Sequence, residues 1–206
     1  MRVLVACEES GVVRDAFRKK GHMAYSCDLL PSNDRFHIQG DVLKELDFGW
    51  DLMIAHPPCT FLCVTGNKWM KEEFKERFPD RLQQRKDSID FFMKLWNCKI
   101  PKICIENPVG IMSSEFRKPD QYIHPYYFGE PHSKKTGLWL KNLPKLEITN
   151  MVEPKMYTYK DGRKDPIWHV ETMKLSKEER SKVRSRTFQG IADAMAEQWG
   201  MITPYG

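Results

Sequence analysis

The chain has 206 residues, with 33 Lys and Arg against 28 Asp and Glu and a net charge of +5. That length holds one domain with a sizeable core and little more, and so small a basic surplus tolerates a polyanionic partner without requiring one. No apolar stretch reaches the length of a membrane span and no signal-peptide pattern precedes the first strand, so a helical membrane protein is excluded, a cytoplasmic one is expected, and the cysteines read as reduced thiols.

Arg2 to Ala6 is strand-like. Gly11 to Lys20 spaces Val12, Val13, Ala16 and Phe17 as an amphipathic helix closing on Gly21, and Met23 to Cys27 is strand-like again. A short segment through Gly40-Asp41-Val42 precedes Leu52-Met53-Ile54-Ala55, a buried strand. The doubly charged stretch Trp69 to Lys86 is expected to include an exposed helix, and from about Leu82 to Trp96 the residues Ile89, Phe92, Met93 and Trp96 fall at helical spacing. Ile103-Cys104-Ile105 is the next strand. Strands alternating with helices imply an α/β protein with a mostly parallel sheet.

Beyond Asn107 the texture changes. Pro119 to Pro144 is rich in aromatics and turn residues, with Thr136 to Leu140 as a strand, which implies a small antiparallel edge. Glu153 to Trp168 is polar, and Lys160-Asp161-Gly162-Arg163 reads as a hairpin tip or loop. Phe188 to Trp199 closes the chain as a helix with Ile191, Ala192, Met195, Ala196 and Trp199 on one face. No repeat or linker divides the chain, so 1–206 reads as a single domain.

Two groups with chemistry stand where strands stop. His56-Pro57-Pro58-Cys59 follows the strand at Leu52, and Glu106-Asn107-Pro108 follows the one at Ile103. The carboxyl ends of strands form the ligand crevice of an open α/β sheet, so a nucleophile and an acid there propose one substrate between them. Alone, the first is equally a rigid turn with an inert thiol and the second a strand end. Together, in this order, they favour catalysis. Cys59 and Cys63 could ligate a metal, but no second pair lies at finger-like spacing and no metal is expected. His56 reads as a ligand, a base or a capped loop residue.

Asp28 directly follows the second strand, where doubly wound folds place a carboxylate that accepts from a ribose. Glu8, Glu9, Ser10 and Gly11 form the turn after the first strand, and Asp41 follows the third. Both aspartates also suit turn and cap roles. The basic run from Lys174 to Arg186 is either a solvated helix face or, with Lys134 and Lys135, a groove that neutralises phosphates.

The series Asp28, Gly40-Asp41-Val42, Pro58-Cys59 with Phe61 and Gly66 downstream, and Glu106-Asn107 resembles the C5-cytosine DNA methyltransferases from end to end, with Thr187 to Ala192 in the place of the last motif. The resemblance implies a Rossmann-like S-adenosylmethionine-dependent methyltransferase fold. It implies that Cys59 adds to C6 of a flipped cytosine and that Glu106 acts at N3, neutral or becoming so on binding because burial encourages it. Asn107 would orient Glu106. S-adenosylmethionine would be the methyl source, with Asp28 on its ribose, Asp41 near its adenine, and Glu8, Ser10, Gly11 and Pro57 around it. DNA would be the partner, met by Lys134, Lys135, Lys182, Arg184 and Arg186.

The departures are as specific as the matches. The glycines of the family's first motif are replaced by Ala6-Cys7-Glu8-Glu9-Ser10-Gly11, the Gln after the Cys is Thr60, and neither the Gln-x-Arg-x-Arg motif nor the closing Gly-Asn-Ser-Val is present. Only about 141–186 stands where the family inserts a target-recognition domain. Recognition is then slight or comes from an accessory chain, and the compact form looks like a phage-type member acting inside a cell. Two further classes stay open: the same Cys and Glu chemistry on another pyrimidine or with a modified cofactor, and a catalytically silent nucleic-acid-binding relative.

Overall fold

Strands β1 (Arg2–Ala6), β2 (Met23–Asp28), β3 (His37–Gln39), β4 (Leu52–Ala55) and β5 (Lys102–Pro108) run parallel in the computed structural model, which describes residues 1–202. With β6 (Gln121–Ile123) and β7 (Thr136–Lys141) they form a seven-stranded sheet in the order β3-β2-β1-β4-β5-β7-β6, β7 being antiparallel to both neighbours. A separate hairpin pairs β8 (Met156–Thr158) with β9 (Lys164–Pro166) around the turn expected at Lys160 to Arg163. The α/β class, the mostly parallel sheet and its antiparallel edge are as the sequence pattern implied.

Alternate strand residues serve opposite layers. Val3, Val5, Leu52, Ile54 and Leu138 pack with Val13 and Phe17 of α1 (Val12–Lys19) and with Met195 and Trp199 of α6 (Gln189–Gly200). Leu4, Ala6, Met53, Ala55, Ile103, Ile105 and Trp139 pack on the other side with Phe92 and Leu95 of α2 (Arg81–Asn97). Cover on both faces explains why these strands read as unbroken apolar runs. Each buried Val, Leu, Ile, Met or Phe among them contributes about 1.5–3 kcal/mol, which makes the sheet centre a rigid base for its edges.

That base determines where β5 delivers its polar end. β4 pairs with β5 only as far as Ala55↔Ile105, whereas β7 continues the pairing through Glu106↔Leu138, Asn107↔Gly137 and Pro108↔Thr136. Glu106 and Asn107 therefore do not follow the strand, as the apolar run suggested. They lie inside it, beyond the end of its parallel neighbour, held by a strand that returns from later in the chain.

The stretch from Trp69 to Lys86 includes an exposed helix, as expected, only from Arg81, where α2 begins. Up to that point the chain after Cys59 forms short 3₁₀ turns at Val64–Met70 and Glu72–Phe74. Trp69 packs edge-on against Phe74 and Phe78 at 5.0 and 5.5 Å, and Arg85 donates to the Phe61 carbonyl and the Asn67 side chain at 3.1 and 2.8 Å. Farther on come α3 (Met112–Glu115), α4 (Ile167–Met173) and α5 (Lys177–Ser185), the last opened by a Ser176–Glu179 capping box. No helix among the described residues is long and apolar enough to cross a membrane.

Candidate active site

The thiol-bearing turn grows directly from β4. The His56 amide donates to the Ala6 carbonyl at 2.9 Å, which keeps the chain beside β1 for one residue more. Pro57 and Pro58 then fix φ and offer no N–H. The Cys59 carbonyl accepts from the amides of Leu62 and Cys63, both at 3.0 Å, and the Cys59 side of the turn is exposed.

Three hydrogen bonds fasten this turn to the end of β5. Asn107 Nδ2 donates to the Pro57 carbonyl at 2.9 Å, the Ile111 amide to the Leu62 carbonyl at 2.8 Å, and the Val64 amide to the Val109 carbonyl at 3.3 Å. Backbone meets backbone here. A Cβ on Gly110 would stand 2.0 Å from the Leu62 oxygen, so the approach requires glycine.

Glu106 is met by His56. Nδ1 lies 2.7 Å from Oε2, and the two side chains are only 8% and 16% exposed. Burial alone would raise the carboxyl. The hydrogen bond from His56, the charges of Lys134 and His56 and the Thr136 hydroxyl outweigh it and hold the group at about 2. Burial would likewise lower His56, but the bond and charge of Glu106, joined by Glu8, raise it against the opposing charge of Lys134. These contacts favour an imidazolium facing a carboxylate. At rest burial does not leave Glu106 neutral, because two cations face it, which leaves the expected change on binding open to test; Asn107 is not seen to orient Glu106, since its amide donates to Pro57. His56 does the orienting. His56 Nε2 and Asn107 Oδ1 remain buried without a hydrogen-bond partner.

The Cys59 thiol is raised, first by desolvation in its dense surroundings and then by Cys63 and Glu106, with Lys134 acting in the opposite direction. At rest it is a thiol. Cys63 Sγ sits 3.0 Å from the Thr65 hydroxyl, and among the described residues no group of three or more His, Cys, Asp or Glu is placed to hold a metal.

At the ends of β1 to β3 the acids divide into two kinds. Glu8 is 5% exposed and caps α1, accepting from the amides of Val13 and Arg14 at 2.7 and 3.3 Å and from the Ser10 hydroxyl at 3.5 Å. It answers N–H groups that a helix start leaves open. Gly11 has φ 71°, and a Cβ there would lie 2.3 Å from Arg14 Nη2, so the guanidinium takes the room this glycine provides. Arg14 in turn reaches Ser26 and Asp34, both at 3.0 Å. Asp28 Oδ1 accepts from the Leu30 amide at 2.9 Å, and Asp41 Oδ1 from the Leu43 amide at 3.0 Å. The turn and cap roles are both real. Yet burial and the charges of Asp28, Cys27 and Asp41 push the Cys7 thiol up to about 12, so the two carboxylates converge on the end of β1. Pro57 is buried, with its carbonyl taken by Asn107.

The basic residues do not share an outer groove. Lys134 Nζ donates to the Arg184 carbonyl at 3.0 Å, and its charge reaches Glu106, His56 and Cys59. Arg184 bonds the Thr172 hydroxyl through Nε at 3.0 Å, approaches His169 Nδ1 at 3.1 Å and lies over Trp168. Lys182 stands 3.6 Å from Glu9, joining α5 to the β1–α1 turn. Arg186 lines a cavity of about 470 Å³ with Ser10, Val12, Asp34 and Gln189. Lys135 is exposed over the Tyr122 ring at 4.3 Å.

The His56–Glu106 pair and the inward place of Lys134 are what sequence reasoning missed. The usable signal was a histidine beside two prolines at a strand end, and a threonine opening a strand whose next residues are apolar. No family model matches the chain, and no curated protein matches it.

Proposed function

We propose that the chain is a compact C5-cytosine DNA methyltransferase-like enzyme in which Cys59 adds to C6 of the base and Glu106 acts at N3. One observation carries this reading: the turn bearing the thiol and the strand bearing the carboxylate are fastened together at the carboxyl edge of a parallel sheet, by Asn107 on Pro57 and by the Leu62–Gly110 approach. Glu106 is close enough for its charge to raise the Cys59 thiol. A thiolate adding to C6 with a proton delivered to N3 gives an enamine, which makes C5 nucleophilic.

The strand ends suit S-adenosylmethionine in part. Asp28 provides an acceptor for ribose hydroxyls and Asp41 one for the adenine, both add to a negative field for a sulfonium cation, and each uses Oδ1 in its own turn or cap. The Glu8 carboxylate is engaged by an amide of α1, and the Arg14 guanidinium fills the room beside Gly11. When bound, the cofactor supplies an electrophilic methyl group. The mostly parallel sheet with its antiparallel edge agrees with the fold that the resemblance implies.

Mass spectrometry of nucleosides from DNA exposed to the protein and S-adenosylmethionine tests the reading. The expected product is 5-methyldeoxycytidine, lost in Cys59→Ser. Unmodified cytosine, or a mark surviving in Cys59→Ser, would overturn it. The same chemistry on another pyrimidine is favoured by one observation: Lys134 and Arg184 have partners within the protein, which leaves fewer cations for duplex phosphates. Free pyrimidine nucleotides in the same assay separate the two.

A further inference from the structure

A carboxylate cannot serve N3 of cytosine. Both are acceptors, and the adduct forms only if a proton arrives at N3 as sulfur bonds to C6. Glu106 is held in its charged form by four contributions from three residues, His56, Lys134 and Thr136, so solvent rarely protonates it near neutrality. A proton nevertheless lies within hydrogen-bond distance of it, on His56 Nδ1, 2.7 Å from Oε2 in a pair that is largely shielded from water.

Resting on the reading above, we infer that His56 is the proton-supplying and positioning residue of the site, lending its Nδ1 proton to Glu106 as a pyrimidine docks and recovering it as the base leaves. The groups facing His56 are Glu106 on β5, Glu8 on the β1–α1 turn and Lys134 ahead of β7. Glu8 favours the charged ring, Lys134 disfavours it, and Glu106 decides between them. An uncharged base that covers the pair and excludes water makes two buried charges less favourable than two neutral partners. Its N3 lone pair also favours a protonated carboxyl. Nε2 is buried with no hydrogen-bond partner, and a ring that gives up Nδ1–H keeps its Nε2–H as a neutral tautomer.

The step balances without a further reagent. The Nδ1–H bond breaks and an O–H bond forms on Glu106; that bond breaks in turn as N3–H forms. The Cys59 sulfur bonds to C6, the C5=C6 electron pair becomes the C4=C5 bond, and the C4=N3 pair becomes the new N3–H bond. The thiol proton leaves to water, since Cys59 is exposed. On elimination N3 returns its proton through Glu106 to Nδ1.

The plainer role for His56 is to orient Glu106 and nothing more, and His56→Asn separates the two because its amide can still donate to Glu106 yet has no proton to give. Trapping on DNA carrying 5-fluorocytosine, with S-adenosylmethionine present and between about pH 6 and pH 9, is the kinetic readout. Trapping by His56→Asn should be roughly 10²-fold slower and should lack the decline at high pH that the wild type shows. Ring ¹⁵N chemical shifts of the free protein give an independent readout. His56 should stay doubly protonated above pH 6.5, its ordinary value, and should lose that proton at lower pH in Glu106→Gln. Equal rates and profiles for wild type and His56→Asn, or a neutral His56 at pH 7, overturn the inference alone. A wild type that traps no pyrimidine overturns the underlying reading and the inference with it. If circular dichroism shows that His56→Asn is unfolded, the wild-type ring titration decides.

Discussion

The side-chain amide of Asn107 donates to the carbonyl of Pro57 at 2.9 Å, so a strand residue holds a turn 50 positions earlier in the chain. Asn107→Ala leaves that carbonyl buried without its donor. It should lower stability by about 1–3 kcal/mol and slow covalent trapping at Cys59, since the turn loses a side-chain tether while Glu106 keeps its own. Urea unfolding beside trapping kinetics checks both effects. An unchanged unfolding midpoint would show that the tether adds nothing to stability.

The His56–Glu106 pair predicts a bounded pH window. Glu106 is depressed to about 2 from its ordinary 4.5, so its contribution is present above pH 4.5 and lost as pH falls toward 2. His56 is raised above 6.5, so its contribution is present below pH 6.5 and lost as pH rises through the folded value. The stability difference between wild type and Glu106→Gln should therefore be largest between those limits and shrink on both sides. Subtracting the two proteins cancels titrating groups remote from the pair, but not Glu8, which faces His56. A difference that is flat from pH 3 to pH 8 would contradict the ionised pair.

For the cofactor, Asp28→Asn is the informative change. The amide oxygen can still accept from Leu30 and preserve the turn, while the charge is removed. S-adenosylmethionine binding should weaken by about 1–2 kcal/mol, the difference between charged and neutral hydrogen bonds. Calorimetry measures it, and equal affinities would reassign the ribose to another residue.

Arg184 and Arg186 should behave differently although both are basic residues at the end of α5. Arg184→Ala removes bonds to Thr172 and the approach to His169, so it should loosen α4 and α5, lower the thermal midpoint and leave the salt dependence of DNA binding nearly unchanged. Arg186→Ala or Lys135→Ala should instead flatten the slope of log affinity against log salt by about 0.9 for each duplex phosphate that is no longer neutralised. Equal slopes for all three variants would remove this distinction.

Much of the sheet was legible because its strands are covered on both faces and so appear as short apolar runs such as Leu52–Ala55 and Ile103–Ile105. The extension of β5 through Glu106 was hidden, since it depends on pairing with β7, more than 25 residues later. The same distance concealed the charge state of Glu106: a rule about burial predicts a neutral acid, but Lys134 and Thr136 reach it from that returning segment and His56 from the preceding turn. Where the exposed helix within Trp69 to Lys86 begins was hidden for another reason. Trp69, Phe74 and Phe78 satisfy one another in a local cluster, and their spacing does not distinguish that cluster from an exposed helix.

The β8–β9 hairpin leans on α4, and all three residues of β8 are exposed. Its tip, at Asp161 and Gly162, is therefore a natural splice point, where added chain would project into solvent without shifting either edge of the main sheet. A short enzyme of the proposed kind could gain a base-reading module there while the thiol turn, the carboxylate and its histidine kept their registers. Selectivity and reactivity would then be separately evolvable.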